Sequence, residues 1–116
     1  MLKLYLKPNC STCRKARAFL RDKGAAFHEI DLNRGLTETE LDMLIGARDY
    51  RQFLNTRNQL YRENGMKQNP PSRAAALRLM SQHPNLIKRP ILVQGSRMVL
   101  GCDEEAIGAL VLTKRG

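Results

Sequence analysis

"NCSTCRKARAFL" (residues 9–20) sets two thiols three positions apart where an extended segment gives way to a basic helix, and the reading of that junction decides the fold. Upstream, "LKLYL" (2–6) alternates apolar and polar side chains as a strand does, and Pro8 and Asn9 end it. Downstream, between Thr12 and Lys23, Ala16, Phe19 and Leu20 recur at helical spacing, while Arg14, Lys15, Arg17, Arg21 and Lys23 are left for the outer face. Gly24 stands where a helix favours a C-terminal glycine. "AFHEIDL" (26–32) alternates again. Strand, helix, strand at this spacing calls for a right-handed crossover and a parallel pair.

Beyond that unit, "TETE" (37–40) has the spacing of a capping box, with Thr37 as cap and Glu40 reaching back, and predicts a helix to about Gly46. Residues 48–64 read as one or two short helices, and Ser72, after "NPP", is placed to cap a helix from Arg73 to Gln82. In "LIKRPILV" (86–93) the β-formers Ile91, Leu92 and Val93 follow Pro90, at an entrance where a strand tolerates proline. "GS" (95–96) turns the chain into "RMVLG" (97–101), an antiparallel partner. Asp103 can cap a final helix to Leu112, and "KRG" (114–116) is expected to fray. The order β-α-β, helices, β-β-α predicts an α/β thioredoxin-like fold in one domain, 1–116, with a helical insertion at about 37–82.

With 116 residues, 42% hydrophobic and 27% charged, the chain has the composition of a globular protein. No run approaches the roughly 18 apolar residues of a membrane span. The N-terminus is too soon broken by Pro8 to be a secretory signal, so the cytoplasm is the expected compartment. Three cysteines are no disulfide framework, and two of them in C-x-x-C point to a reducing compartment in which thiols do chemistry. A formal charge of +9 favours anionic partners. Aromatic residues are only 5%, with no Trp, which argues against a base-stacking platform for single strands.

Cysteine reacts as thiolate, and a free thiol is mostly protonated at neutral pH. Cys10 precedes the predicted helix, where unpaired N–H groups and the macrodipole favour an anion, and Arg14, Lys15 and Arg17 add positive charge. On this reading Cys10 is the nucleophile and Cys13 the thiol that resolves a mixed disulfide. The backbone N–H groups near Ser11 and Thr12 then steady the developing anion, and Arg89 is either a partner of the oxyanion or thiolate or a solvated surface charge. Two other readings stand beside it. C-x-x-C is half of a zinc site, but the remaining Cys102, His28 and His83 are scattered singly, so no metal is expected. The pair can also be an inert one, since buried cysteine behaves as a small hydrophobe. Cys102, near the start of the last helix, is a third thiol with a redox or a merely spare role.

"KPNCSTCRKARAFL", "HPNLIKRPILV" and "VLGCDEEAI", with "NTR" (55–57), resemble the arsenate reductase family, which includes the Spx transcription regulators, over about residues 2–112. The resemblance implies the same thioredoxin-like fold. It also implies that Cys10 is the catalytic cysteine that attacks an oxyanion or small disulfide, with glutathione or a glutaredoxin-like protein as reductant and no tightly bound cofactor. Arg89, before Pro90, matches an arginine that holds the oxyanion. Asn55 or neighbouring Arg57 takes the place of a second, and Gly101-Cys102 that of a third. "CRKAR" and Cys13 are similar to the Spx branch, in which the pair is a disulfide switch and the partner is the RNA polymerase alpha subunit's C-terminal domain. Asp49 aligns with the glycine of that contact. The chain is expected to act as a monomer, away from membranes.

Overall fold

In the computed structural model, which describes residues 2–112, the two segments flanking the cysteine helix pair as parallel strands: β1 (Leu2–Leu6) against β2 (Phe27–Asp31), with Leu2 opposite Phe27 and Leu6 opposite Asp31. The terminal "KRG" lies outside the described residues. On its other side β1 pairs antiparallel with β3 (Ile91–Gln94), Tyr5 facing Ile91, and β3 pairs antiparallel with β4 (Arg97–Leu100), Ile91 facing Leu100. The sheet order is β2-β1-β3-β4. The period-two pattern of β1 has its structural counterpart in Leu2, Leu4 and Leu6, all fully buried, between an exposed Lys3 and a half-buried Tyr5.

Helix α1 (Ser11–Asp22) carries the crossover and buries Cys13, Ala16 and Leu20, which lie along one stripe. Gly24, at φ +69, lets the chain reverse after it, and the Ala25 N–H closes on the Leu20 carbonyl at 3.0 Å. Helix α5 (Glu104–Leu112) follows β4, and its Ile107 and Leu110 join β1, α1 and Leu92 in one core. Asp103 caps it through Ala106 N–H at 3.2 Å. Helices α1 and α5 touch, so the sheet, α1 and α5 form one compact unit, running to Leu32 and resuming at Arg89.

The second unit is the intervening segment, Asn33–Lys88, somewhat longer at both ends than the predicted insertion. Helix α2 (Glu38–Ile45) begins with the capping box: Thr37 Oγ1 accepts from Glu40 N–H at 3.0 Å, and Glu40 Oε1 accepts from Thr37 N–H at 2.9 Å. Helix α4 (Arg73–Gln82) is capped by Ser72, which accepts from Ala75 N–H at 3.2 Å. The short helices expected over 48–64 are a 3₁₀ turn (Tyr50–Phe53) and α3 (Gln59–Glu63). α2 packs on α4, an Arg73–Asp42 ion pair at 2.8 Å joins them, and Phe53, Met66, Met80 and Ile87 are buried in this unit. Two further 3₁₀ turns, Leu32–Arg34 and Pro84–Leu86, and a single bridge from Leu54 to Ile87 were not expected from the pattern.

Candidate functional site: a thiol pair at the start of the cysteine helix

Cys10 is the N-cap residue of α1, extended at φ −90 and ψ 126. Its N–H donates to the Lys7 carbonyl at 3.0 Å, and its carbonyl accepts the first helical bond, from Arg14 N–H, at 3.0 Å. The loop after β1 is thereby closed so that the Cys10 side chain faces the open N-terminal turn of the helix. Cys13 is one turn on, at 0% exposure, against the core. The Lys7 N–H approaches its Sγ at 3.5 Å. Cys10 and Cys102 are half-buried against the same core, and all three thiols are free.

The two neighbouring thiols are driven in opposite directions. Burial opposes ionisation of Cys10, but the Cys13 N–H and thiol, the Arg89 guanidinium and the Thr12 N–H together outweigh it, and the pKa falls from 9.0 to about 7. No side-chain hydrogen bond of ordinary capping geometry runs from Cys10, so these groups act on its ionised form chiefly as oriented dipoles and charge. Cys13 is pushed up from 9.0 to about 11, first by burial and then by the neighbouring Cys10, against the Lys7 N–H and the Arg89 charge. One sulfur is therefore half ionised near neutrality while the other keeps its proton.

The basic side chains expected to supply this field are not its leading source. Arg17 forms an ion pair with Glu29 of β2 at 3.0 Å, and Arg21 approaches the other oxygen of the same carboxylate at 3.8 Å. Arg14 and Lys15 are exposed on α1, and Ser11 is its exposed first residue. What the sequence missed is the Lys7 backbone, whose N–H reaches the buried sulfur; a lysine in a loop gives no pattern that would have marked it.

Arg89 belongs with the pair. Sheet order places the segment before β3 beside the end of β1, the Arg89–Pro90 peptide is cis, and the Gly101 N–H donates to the Pro90 carbonyl at 2.8 Å. Pro90 is buried, and Arg89, half-buried, acts on both Cys10 and Cys13. Cys102 precedes the Asp103 cap of α5; burial first, then Glu104 and Asp103, push its thiol upward despite Lys15, so it is the less reactive of the two half-buried thiols. Arg57 is exposed and belongs to the other unit, with its N–H on Asn55 Oδ1 at 3.1 Å, while Asn55 Nδ2 donates to the Asn85 carbonyl at 3.1 Å. His28 and His83 are exposed, and among the described residues no three His, Cys, Asp or Glu side chains gather as a metal site. No described helix is long and apolar enough to cross a membrane.

Comparison with known proteins shows the family and the fold. The chain is 30% identical over 114 residues to the global transcriptional regulator Spx of Streptococcus agalactiae, covering 96% of this chain and 83% of that protein. It is 32% identical over 110 residues to the Spx of Enterococcus faecalis, covering 92% and 83%. An arsenate reductase from Vibrio cholerae superposes with a TM-score of 0.79 at 29% identity, covering 97% of this chain and 95% of that one. The α/β thioredoxin-like arrangement expected from the element order is the fold of these neighbours. The family model described as the ArsC family matches residues 5–110, from β1 into α5, and the chain therefore belongs to the ArsC family.

Proposed function

We propose that this protein is a cytoplasmic thiol–disulfide oxidoreductase that works through a Cys10 thiolate resolved by Cys13. The observation that carries the reading is the opposed ionisation of two thiols one helical turn apart: about 7 for Cys10, about 11 for Cys13. A nucleophile is ready at neutral pH, while its partner stays protonated until a leaving group needs the proton.

On a small disulfide the Cys10 thiolate attacks one sulfur and the other leaves as a thiolate. Cys13 gives its proton to that leaving group and attacks Cys10 Sγ, which expels the second thiolate and closes a Cys10–Cys13 disulfide. Two glutathione thiols, directly or through a glutaredoxin-like protein, reduce it and leave as oxidised glutathione. On an oxyanion such as arsenate the thiolate displaces hydroxide from arsenic(V). A second thiol then attacks Cys10 Sγ, and the sulfur–arsenic electron pair stays on arsenic as arsenic(III). In both cases Arg89 and the N–H groups of the first turn, Ser11 and Thr12 included, face the developing negative charge, Arg14 adds to the field, and Pro90 fixes Arg89. No tightly bound cofactor is needed.

The test is a coupled glutathione and glutaredoxin assay with arsenate and a small disulfide side by side. Turnover lost in Cys10→Ser supports the proposal, and no turnover of either substrate refutes it. Cys13→Ser should trap a mixed disulfide on Cys10, visible by intact mass.

A second reading has its own support in the Spx relatives and the C-x-x-C. In it the Cys10–Cys13 disulfide switches contact with the RNA polymerase alpha subunit's C-terminal domain. Asp49, at the place of the contact glycine, holds Arg51 with both carboxylate oxygens, at 3.0 and 3.1 Å. Binding of that domain which changes on oxidation, measured beside the turnover assay, separates regulator from enzyme.

A further inference from the structure

The second unit contains a concavity that the thiol chemistry does not use. It has a volume of about 510 Å³ and is lined by Thr56, Tyr61, Arg62, Gly65, Lys67 and Gln68. The backbone that builds it is well determined by its hydrogen bonds. Helix α3 ends in a Schellman turn: Gly65, at φ +58, donates to the Arg62 carbonyl at 3.2 Å, and Met66 N–H donates to the Tyr61 carbonyl at 3.1 Å. Met66 is buried at 4% exposure and anchors the reversal. The chain then curls again, with Gln68 and Asn69 N–H on the Gly65 carbonyl at 3.1 and 2.8 Å. Residues 67 and 68 are thereby brought round to the side occupied by Tyr61 and Arg62. The Leu60 carbonyl at the helix end is likewise engaged, by Asn64 Nδ2 at 2.9 Å. The terminus therefore offers little free carbonyl to repel an anion.

The charges on this wall are one-sided. Two other arginines of the unit are paired, Arg51 with Asp49 and Arg73 with Asp42. Arg62 and Lys67 have no ion pair among the described residues, and the lining holds no carboxylate. Glu63, the acid nearest in sequence, is held by Gln59 Nε2 at 2.7 Å. Thr56 and Gln68 add neutral donors, and the half-buried Tyr61 adds a flat aromatic wall. The volume lies in the range of small-molecule sites, well above what a bare oxyanion fills.

We propose that this concavity binds a small organic phosphate with a planar aromatic body, of the size of a nucleoside monophosphate. Arg62 and Lys67 hold the phosphate, and Tyr61 stacks on the ring. The proposal is independent of the thiol chemistry.

The test is a titration of the ¹⁵N-labelled full chain with adenosine 5′-monophosphate, with adenosine and inorganic phosphate in parallel. The expected result is a saturable shift, in the millimolar range or tighter, confined to the amides around Thr56, Tyr61, Gly65 and Gln68. Arg62→Ala and Lys67→Gln should each weaken it by about tenfold or more, and adenosine or phosphate alone should bind more weakly than the two joined. An unchanged rate of Cys10 alkylation and unchanged amide dispersion show that the variants fold. Lys67→Gln changes only an exposed side chain and keeps the test valid should the other variant unfold. The proposal is overturned by the absence of saturation, by shifts that survive both substitutions, or by phosphate alone binding as well as the nucleotide.

Discussion

Replacing Arg89 by Gln, in a chain whose Cys102 is Ser so that Cys10 is the one partly exposed thiol, tests the electrostatic account at its centre. With a pKa of about 7, Cys10 is half ionised at pH 7, whereas a thiol at 9.0 is about 1% ionised, a ratio of about fiftyfold. A less basic thiolate is also a weaker nucleophile: with a Brønsted slope of about 0.4–0.5, two pKa units cost about sixfold to tenfold in intrinsic rate. The net expectation is alkylation at pH 7 about fivefold to eightfold faster than an ordinary cysteine, with a rate–pH midpoint near 7. In Arg89→Gln the midpoint rises and the rate at pH 7 drops. The midpoint stays short of 9.0, because the N–H groups of Cys13 and Thr12 and the Cys13 thiol remain. Iodoacetamide kinetics read by intact mass across a pH series give both midpoints. A wild-type midpoint near 9, or one that Arg89→Gln leaves unmoved, refutes the reasoning.

The same shifts make stability depend on pH. A depressed thiol contributes above its unfolded pKa and loses that contribution as pH falls through the folded value, so denaturation should show wild type gaining on Cys10→Ala between about pH 7 and pH 9. Cys13, raised to about 11, has the opposite sign: its contribution is full below about pH 9 and is lost as pH climbs toward 11, so the Cys13→Ala comparison should narrow there. Thr37→Ala removes the hydroxyl that accepts from Glu40 N–H and should cost about 1 kcal/mol in urea unfolding. Leu4→Ala, at a position with 0% exposure in the strand between β2 and β3, should cost about 2–5 kcal/mol, more than any cap.

What could be read from the sequence is what local physics determines. The caps at Thr37, Ser72 and Asp103 were legible because a side-chain oxygen and an N–H two or three residues on settle them without help from the rest of the chain. The β1 and α1 patterns were legible because one face of each is buried. The 3₁₀ turns at Leu32–Arg34 and Pro84–Leu86 and the Leu54–Ile87 bridge were not, since so few residues leave no period to detect. At the site, the contribution of the first-turn N–H groups was foreseen from the position of Cys10. The capture of Arg17 by Glu29 was not, because that pairing depends on where parallel β2 places its side chains. The effect of Arg89 on Cys10 was anticipated only through the fold, because nothing local links the two residues.

The antiparallel pairing of β1 with β3 has a consequence for the newborn chain. Synthesis delivers the cysteines long before Arg89. Thr12 and Cys13 can begin to sharpen the first sulfur as soon as their helix winds, but the guanidinium arrives only once distant strands have met. Full chemical potency is thus withheld until assembly is complete, and the half-made polypeptide is spared some of the cross-linking that so eager a sulfur invites.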